Sequence, residues 1–434
     1  MDKGKKTVII ALLIVGLILV SGCFKRSNSE EEAPGALTPT DITVSDWNEN
    51  AGSDLFEVKV AVLYERITDG ALYGRSNDDV IKLLKKTKTD LIFRGFWRWR
   101  PVPDTRESAP EEVLKLGGTQ TDLQAVLDYN YTYEDLKNAI AGIKQEMPDV
   151  IFVGAIPAQR INGIDKNDLT GEILDRDKTL EMALDPEKWG IAVSKKDAQK
   201  KLGEALGWSE GDAYYPDITN PNYQKFLVDM AKKQIDSGAD AIWIDMLFTQ
   251  AVIMERYTKD PDHPAVKESF EASSKIVDDI HDYGDSKGKY IYVGSWTDSI
   301  NLPYPQPKLD FVTLSPTSDM IARKNLNMAE WSSRKARIRE ELGDVKIFVF
   351  IDWANDDSPL VTFSQKLSKT EQKEMLAEMH KFFKSEGMTF VLPLHGGFMG
   401  NNARVLSFGN SKVYDSVAPQ FETFNTINEI SSSE

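Results

Sequence analysis

The stretch Gly238–Leu247, GADAIWIDML, decides the fold. Ala239 to Ile244 is almost wholly apolar, and Asp245 follows between Ile244 and Met246. A short apolar run opened by glycine reads as a strand buried on both faces. Such a strand that ends on a carboxylate poses a choice. Asp245 is either the cap of the next turn or a catalytic group at the mouth of a barrel. A single Asp at a strand end is more often a turn former. Alternation of side chains along a strand puts Asp245 on the same side as Trp243 and Ala241, and one side of a barrel strand faces the axis.

Working outward, seven more runs match this one: EVKVAVLYE (57–65), DLIFRGFW (90–97), VIFVGAIP (150–157), YIYVGSW (290–296), DFVTLSP (310–316), KIFVFIDW (346–353) and TFVLPLH (389–395). Helical patterns lie between most of them. SNDDVIKLLKKT (76–87) opens on Ser and two Asp, and YTYEDLKNAIAGIKQEM (131–147) opens on Thr-x-x-Asp, both N-terminal capping signals. NPNYQKFLVDMAKKQIDSG (220–238) has Asn as cap, Pro in the first turn and Gly as stop. Helices are also expected over 263–284, 328–343, 368–387 and 415–430, the last despite Pro419. The Pro-rich link NLPYPQPKLD leaves a missing or reduced helix between the fifth and sixth strands. Eight strands with intervening helices predict a (β/α)8 TIM barrel, α/β in class, with a doubly wound open sheet as the runner-up. Residues 158 to 219 form a long insertion between strands 3 and 4, and loops of that length are usually functional.

The N-terminus reads differently. Lys3, Lys5 and Lys6 precede the apolar run Thr7–Val20, which leads into Ser21-Gly22-Cys23, and Cys23 is the only cysteine in 434 residues. A basic end, an apolar core and small residues make a secretory signal over 1–22. VSGC resembles a lipoprotein lipobox, which implies that Cys23 is lipidated and becomes the mature N-terminus. An uncleaved membrane anchor is the competing reading. Either places the body outside the cytoplasm, tethered to a membrane. The polar, turn-rich SNSEEEAPGALTPTD (27–41) belongs to a flexible tether that, with Cys23, occupies 23–54, and the barrel occupies 55–434. The formal net charge is −16. That argues against nucleic acid or an anionic membrane surface as a partner of the body.

Chemistry in a barrel gathers at the C-terminal ends of its strands. Read in order, those ends carry Glu65; Arg94, Trp97 and Trp99; Gln159 and Arg160; Asp245; Trp296 with Asp298 beyond; Asp352 and Trp353; and His395-Gly396-Gly397. Carboxylates supply acid, base and nucleophile at an acetal carbon. Tryptophan faces stack on sugar rings, and Arg, Asn and His bind hydroxyls. Asp352 shares a side with Phe350 and Phe348 by the same alternation. Trp97 and Trp353 could equally be core, and His395 could be a structural histidine. Arg94, inside a strand, requires a carboxylate partner and is expected to hold one of the acids.

The segment YYPDITNPNYQKFLVDMAKKQIDSGADAIWIDM (214–246) resembles a passage common in barrel glycoside hydrolases of α-amylase, α-galactosidase-like and polygalactosaminidase-like type. In that resemblance an Asp-x-Thr-Asn-Pro turn starts a helix, and a strand ending in Asp follows. It implies that Asp245 is the nucleophile, that Asp217 lies near the mouth, and that Asp352 is the second acid, at the end of strand seven. Amylase-like enzymes place a Glu acid/base after strand five, whereas this chain reads GSWTDS there. The acid role is therefore open among Asp352, Asp298 and Glu65, with Asp352 ranked first. Arg94, Trp97, Trp99, Asp217, Trp296, Trp353 and His395 are the expected sugar-binding set.

There is no His-x-x-x-His pair and no cysteine in the body, which disfavours a zinc hydrolase, and there is no Gly-x-Ser-x-Gly, Walker loop or Gly-x-Gly-x-x-Gly. No metal or other cofactor is expected. The expectation is a membrane-tethered glycoside hydrolase acting on a carbohydrate. A non-catalytic glycan-binding lipoprotein, or another barrel enzyme using the HGG loop after strand 8, stands as the alternative.

Overall fold

The structure is a computed structural model that describes residues 54–68, 74–297, 301–352, 357–399, 406–408 and 411–434. Cys23, Asp298 and Trp353 lie outside the described residues, as does the whole segment assigned above to signal and tether apart from Asp54.

All eight apolar runs form parallel strands: β1 Ala61–Tyr64, β2 Leu91–Trp97, β3 Ile151–Pro157, β4 Ala241–Asp245, β5 Tyr292–Trp296, β6 Phe311–Leu314, β7 Lys346–Val349 and β8 Thr389–Met399. Each pairs with the next, and β1 pairs with both β2 and β8, so the sheet closes into a barrel. That closure rules out the open doubly wound sheet. The outer layer includes helices α1 Asn77–Lys86, α2 Tyr133–Glu146, α3 Pro221–Asp236, α4 Pro264–Ser286, α5 Met328–Leu342 and α6 Lys369–Ser385. Their starts follow the sequence signals. Ser76 and Asp79 close a capping box, Thr132 accepts from the Asp135 amide, and Asn220 accepts from the Asn222 and Tyr223 amides ahead of Pro221. Such caps contribute about 1 kcal/mol each. Gly238 ends α3 at φ 111°, where a Cβ would meet Ile140 at 2.9 Å, so the expected stop is also a packing requirement.

Alternation along the strands divides the buried side chains into two layers. Ile242 and Ile244 of β4 pack outward with the helices, while Ala241 and Trp243 point into the lumen. Aromatic rings fill the lumen. Trp243 meets Phe93 at 5.4 Å and Phe350 at 6.0 Å, and its indole N–H donates to Thr313 Oγ1 at 3.0 Å. The barrel is thus a packed core, open to chemistry only above this layer.

Strand β2 breaks the alternation. Between its pairings with Phe152 and Gly154 of β3 it advances from Ile92 to Phe96, a bulge in which Arg94 takes a left-handed φ of 54°. Between β3 and α3 the chain makes the expected long excursion, with short ribbons and helices at Arg176–Glu181 and Lys195–Ala205. Arg98, just past β2, anchors it. Its guanidinium donates to Asp165 and Asp168 at 2.7 Å, and Tyr133 donates to Asp168.

The C-terminus departs from expectation. Strand β8 runs past His395 to Met399, and a hairpin of β9 Leu406–Phe408 and β10 Ser411–Asp415 pairs back on it. The expected helix over 415–430 is replaced by the end of β10, a turn, and a shorter helix α7, Phe424–Ser432. Pro419 lacks the amide a helix needs, and Glu422 turns at φ 56°, so helical geometry begins only beyond them. A helix at Thr249–Thr258, directly after β4, has no clear sequence signal, its polar and apolar residues showing little segregation to one face.

Candidate active site

Four of the expected groups meet at the C-terminal mouth of the barrel. The β2 bulge turns Arg94 inward, above Trp97 (4.8 Å) and Trp243 (5.3 Å). Its Nη1 donates to Asp352 Oδ1 at 3.1 Å and its Nη2 to Glu65 Oε1 at 3.3 Å. Burial works against the guanidinium charge, but the carboxylates of Glu65, Asp352 and Asp245 outweigh it and hold its pKa above the usual arginine value. The sequence expectation that Arg94 holds one acid is exceeded, since it bonds two and feels a third.

The three carboxylates are not equivalent. Glu65 is 3% exposed. Its second oxygen accepts the Gly397 amide at 2.8 Å, and a Cβ on Gly396 would fall 2.6 Å from the Glu65 Cβ. The glycine pair near the end of β8 is therefore needed for Glu65 to seat. It also means that the Gly397 amide serves Glu65 rather than an open phosphate loop. The Asp352 side chain is 22% exposed, and its backbone amide donates to Ser315 Oγ at 3.3 Å. Asp245 is half-buried, falls on the lumen side with Trp243, and accepts from Gln159 Nε2 at 2.7 Å. Of these three, Asp245 and Asp352 are the acids that a ligand can reach, and Glu65 is enclosed behind Arg94 and Gly397.

Aromatic rings wall this mouth. Trp97 stacks on Trp99 with centroids 5.4 Å apart and a 26° tilt, and half-buried Trp296 stands edge-on to Phe350 at 5.7 Å. Trp97 is buried and packs the top of the lumen, the core role that the sequence left open for it, with Trp99 against it.

Two expected site residues are placed elsewhere. Asp217 is buried, but its partners are Lys188, Thr219 and Gln250, on the insertion and the helix after β4, and none of the acid cluster. It locks the start of α3. His395 is 1% exposed, packed on Tyr64 at 4.8 Å and hydrogen-bonded through Nδ1 to Asp415 at 3.1 Å. Its ring is enclosed, so it supports β8 and the hairpin rather than offering a surface to sugar. Burial raises the Asp415 pKa, but bonds from His395 and Arg75 prevail and hold it well below the usual carboxylate range.

In the sequence Gln159 and Arg160 mark only the end of strand three, and Trp208 carries no signal. Gln159 holds Asp245, and Arg160 lies between the rings of Trp99 and Trp208, 4.9 Å from each. The signal was position alone, since Gln and Arg directly after a barrel strand point to the mouth. Among the described residues, no group of three or more His, Cys, Asp or Glu is placed to hold a metal ion.

Fold and mouth together define a (β/α)8 barrel whose C-terminal end carries acids around an arginine and a wall of tryptophans. No family model matches the chain, and no curated protein matches it significantly. Among solved structures it is similar to a single-residue variant of the glycoside hydrolase domain of PelA from Pseudomonas aeruginosa, at 10% identity over 79% of this chain and 93% of that one, TM-score 0.40. It is also similar to CldA, a cyclomaltodextrin glucanotransferase, at 13% identity over 86% and 80%, TM-score 0.49. An Anoxybacillus α-amylase aligns at 11% identity over 88% and 79%, TM-score 0.47.

Proposed function

We propose that this protein is a glycoside hydrolase, tethered by a lipidated Cys23 on the outer face of a membrane, that cleaves a polysaccharide or cell-envelope glycan. The carrying observation is the placement of two half-buried carboxylates, Asp245 and Asp352, at the tryptophan-walled mouth, both acting on the charge of Arg94. Asp245 is the nucleophile or general base, held by Gln159 so that one oxygen is directed. Asp352 gives its proton to the leaving glycosidic oxygen. Trp99 and Trp296, half-buried at the mouth, border the sugar, and Trp97 backs them. Glu65 and Arg94 fix the charge balance without touching the sugar.

The test is reducing-end release from a glycan panel by wild type and Asp245→Asn. Loss of roughly 10³-fold or more with the fold intact supports the assignment. Release at the wild-type rate by a folded Asp245→Asn overturns it.

One observation favours a non-catalytic glycan binder as the second reading. Arg94 neutralises Asp352, and a carboxylate so paired donates a proton poorly until substrate parts the pair. Tight glycan binding without any reducing ends on prolonged incubation selects that reading.

A further inference from the structure

Arg160 is 8% exposed, yet among the described residues it makes no ion pair. Its guanidinium lies between Trp99 and Trp208, and its Nε and Nη2 donate to one acceptor, Asn162 Oδ1, at 3.2 and 3.0 Å. That uses the side-on edge of the fork. The end-on edge, Nη1 with the second Nη2 hydrogen, is engaged by no described residue. Burial and the neighbouring Arg100 pull the group down to about 10, well below an ordinary arginine, although Asp165 and Asp212 act in the opposite direction. A buried cation without a counter-ion is costly, and a purely structural ring contact does not require the charge.

The support beneath Arg160 is rigid. Asn162 Nδ2 donates to Asp165 Oδ2 at 2.8 Å, and Asp165 is clamped by Arg98. The open edge is therefore held in place before any ligand arrives. Ring contacts also link it to the acids. Arg94, Trp97, Trp99 and Arg160 follow one another at 4.8, 5.4 and 4.9 Å, a continuous stack from the acid cluster to the Arg160 fork. A sugar chain running along the edge of that stack would bring a substituent a few rings from the cleavage point onto the fork.

We propose that Arg160, framed by Trp99 and Trp208, is a subsite for a sugar carboxylate, so that the glycan taken by this protein is acidic, of the uronic-acid class. The planar fork matches a carboxylate in two parallel bonds, and stacking on both faces fixes its plane. The inference rests on the glycoside-hydrolase reading for the identity of the chain on the wall, and its test separates the two.

The experiment titrates wild type, Asp245→Asn, Arg160→Gln and Arg160→Lys with uronate oligosaccharides, galacturonate, glucuronate and mannuronate, each against its carboxyl-reduced neutral counterpart. Tryptophan fluorescence and calorimetry report binding. Wild type and Asp245→Asn are expected to prefer an acidic oligomer by about tenfold or more, the effect of a charge-assisted bond. Salt should narrow that preference. Arg160→Gln should lose the preference while keeping affinity for the neutral form, and Arg160→Lys should keep only part of it. A structural pin would instead change melting temperature and leave the preference intact. Equal binding of charged and neutral forms, an undiminished preference in folded Arg160→Gln or Arg160→Lys, or no binding of any acidic oligomer overturns the subsite. Arg160-dependent binding without bond cleavage leaves the subsite standing and overturns the hydrolase.

Discussion

Replacing Arg94 with methionine probes the electrostatic frame of the barrel mouth. Methionine keeps the aliphatic contact above Trp97 and Trp243 but removes the charge that Glu65, Asp352 and Asp245 share. The Glu65 side chain is almost wholly enclosed and cannot turn to water, and its other bond is the Gly397 amide. Removing one partner of such a buried pair costs about 3–5 kcal/mol. Asp352 reaches solvent and regains hydration, so its share is that of a surface pair, about 1 kcal/mol or less. The expected loss near neutral pH is therefore about 3–5 kcal/mol, mostly from Glu65. Equilibrium urea unfolding near neutral pH measures the loss, with Arg94→Lys as a control that keeps the charge without the fork. A methionine variant within about 1 kcal/mol of wild type refutes the reasoning.

Two further outcomes follow from the same geometry. Gln159→Leu removes the donor to Asp245, and a hydrogen bond to a charged group of this kind corresponds to a fall of about 10- to 100-fold in kcat with little change in KM; a change confined to KM would show that Gln159 binds sugar rather than positioning the acid. Asp415→Asn breaks the buried contacts to Arg75 and His395 and should cost about 3–5 kcal/mol near neutral pH. Because the folded Asp415 pKa is depressed, that stability is present above the unfolded value of about 3.9 and is lost as pH falls below it. The unfolding curves of variant and wild type should therefore converge in acid, and a gap constant with pH would exclude the ion-pair role.

The sequence by itself determined the barrel's parts and the side of the sheet on which Asp245 lies. Strand runs such as Ala239–Ile244, caps such as Ser76 and Asn220, and the alternation that puts Trp243 and Asp245 together are local properties, written over a few residues. Only the tertiary structure decided which acids meet. Glu65, Arg94 and Asp352 come together because β1 closes against β8 and because a bulge with a left-handed Arg94 overrides the period of two in β2. Tertiary packing takes Asp217, which the resemblance placed near the mouth, to Lys188 and Gln250, and settles His395, open between sugar binding and a structural role, on Asp415. It sets Arg160 between Trp99 and Trp208, residues 61 and 48 positions away on either side in the chain. Charge pairing and ring stacking act across space, and a local pattern records which residues can reach the mouth but not which of them will be partnered there.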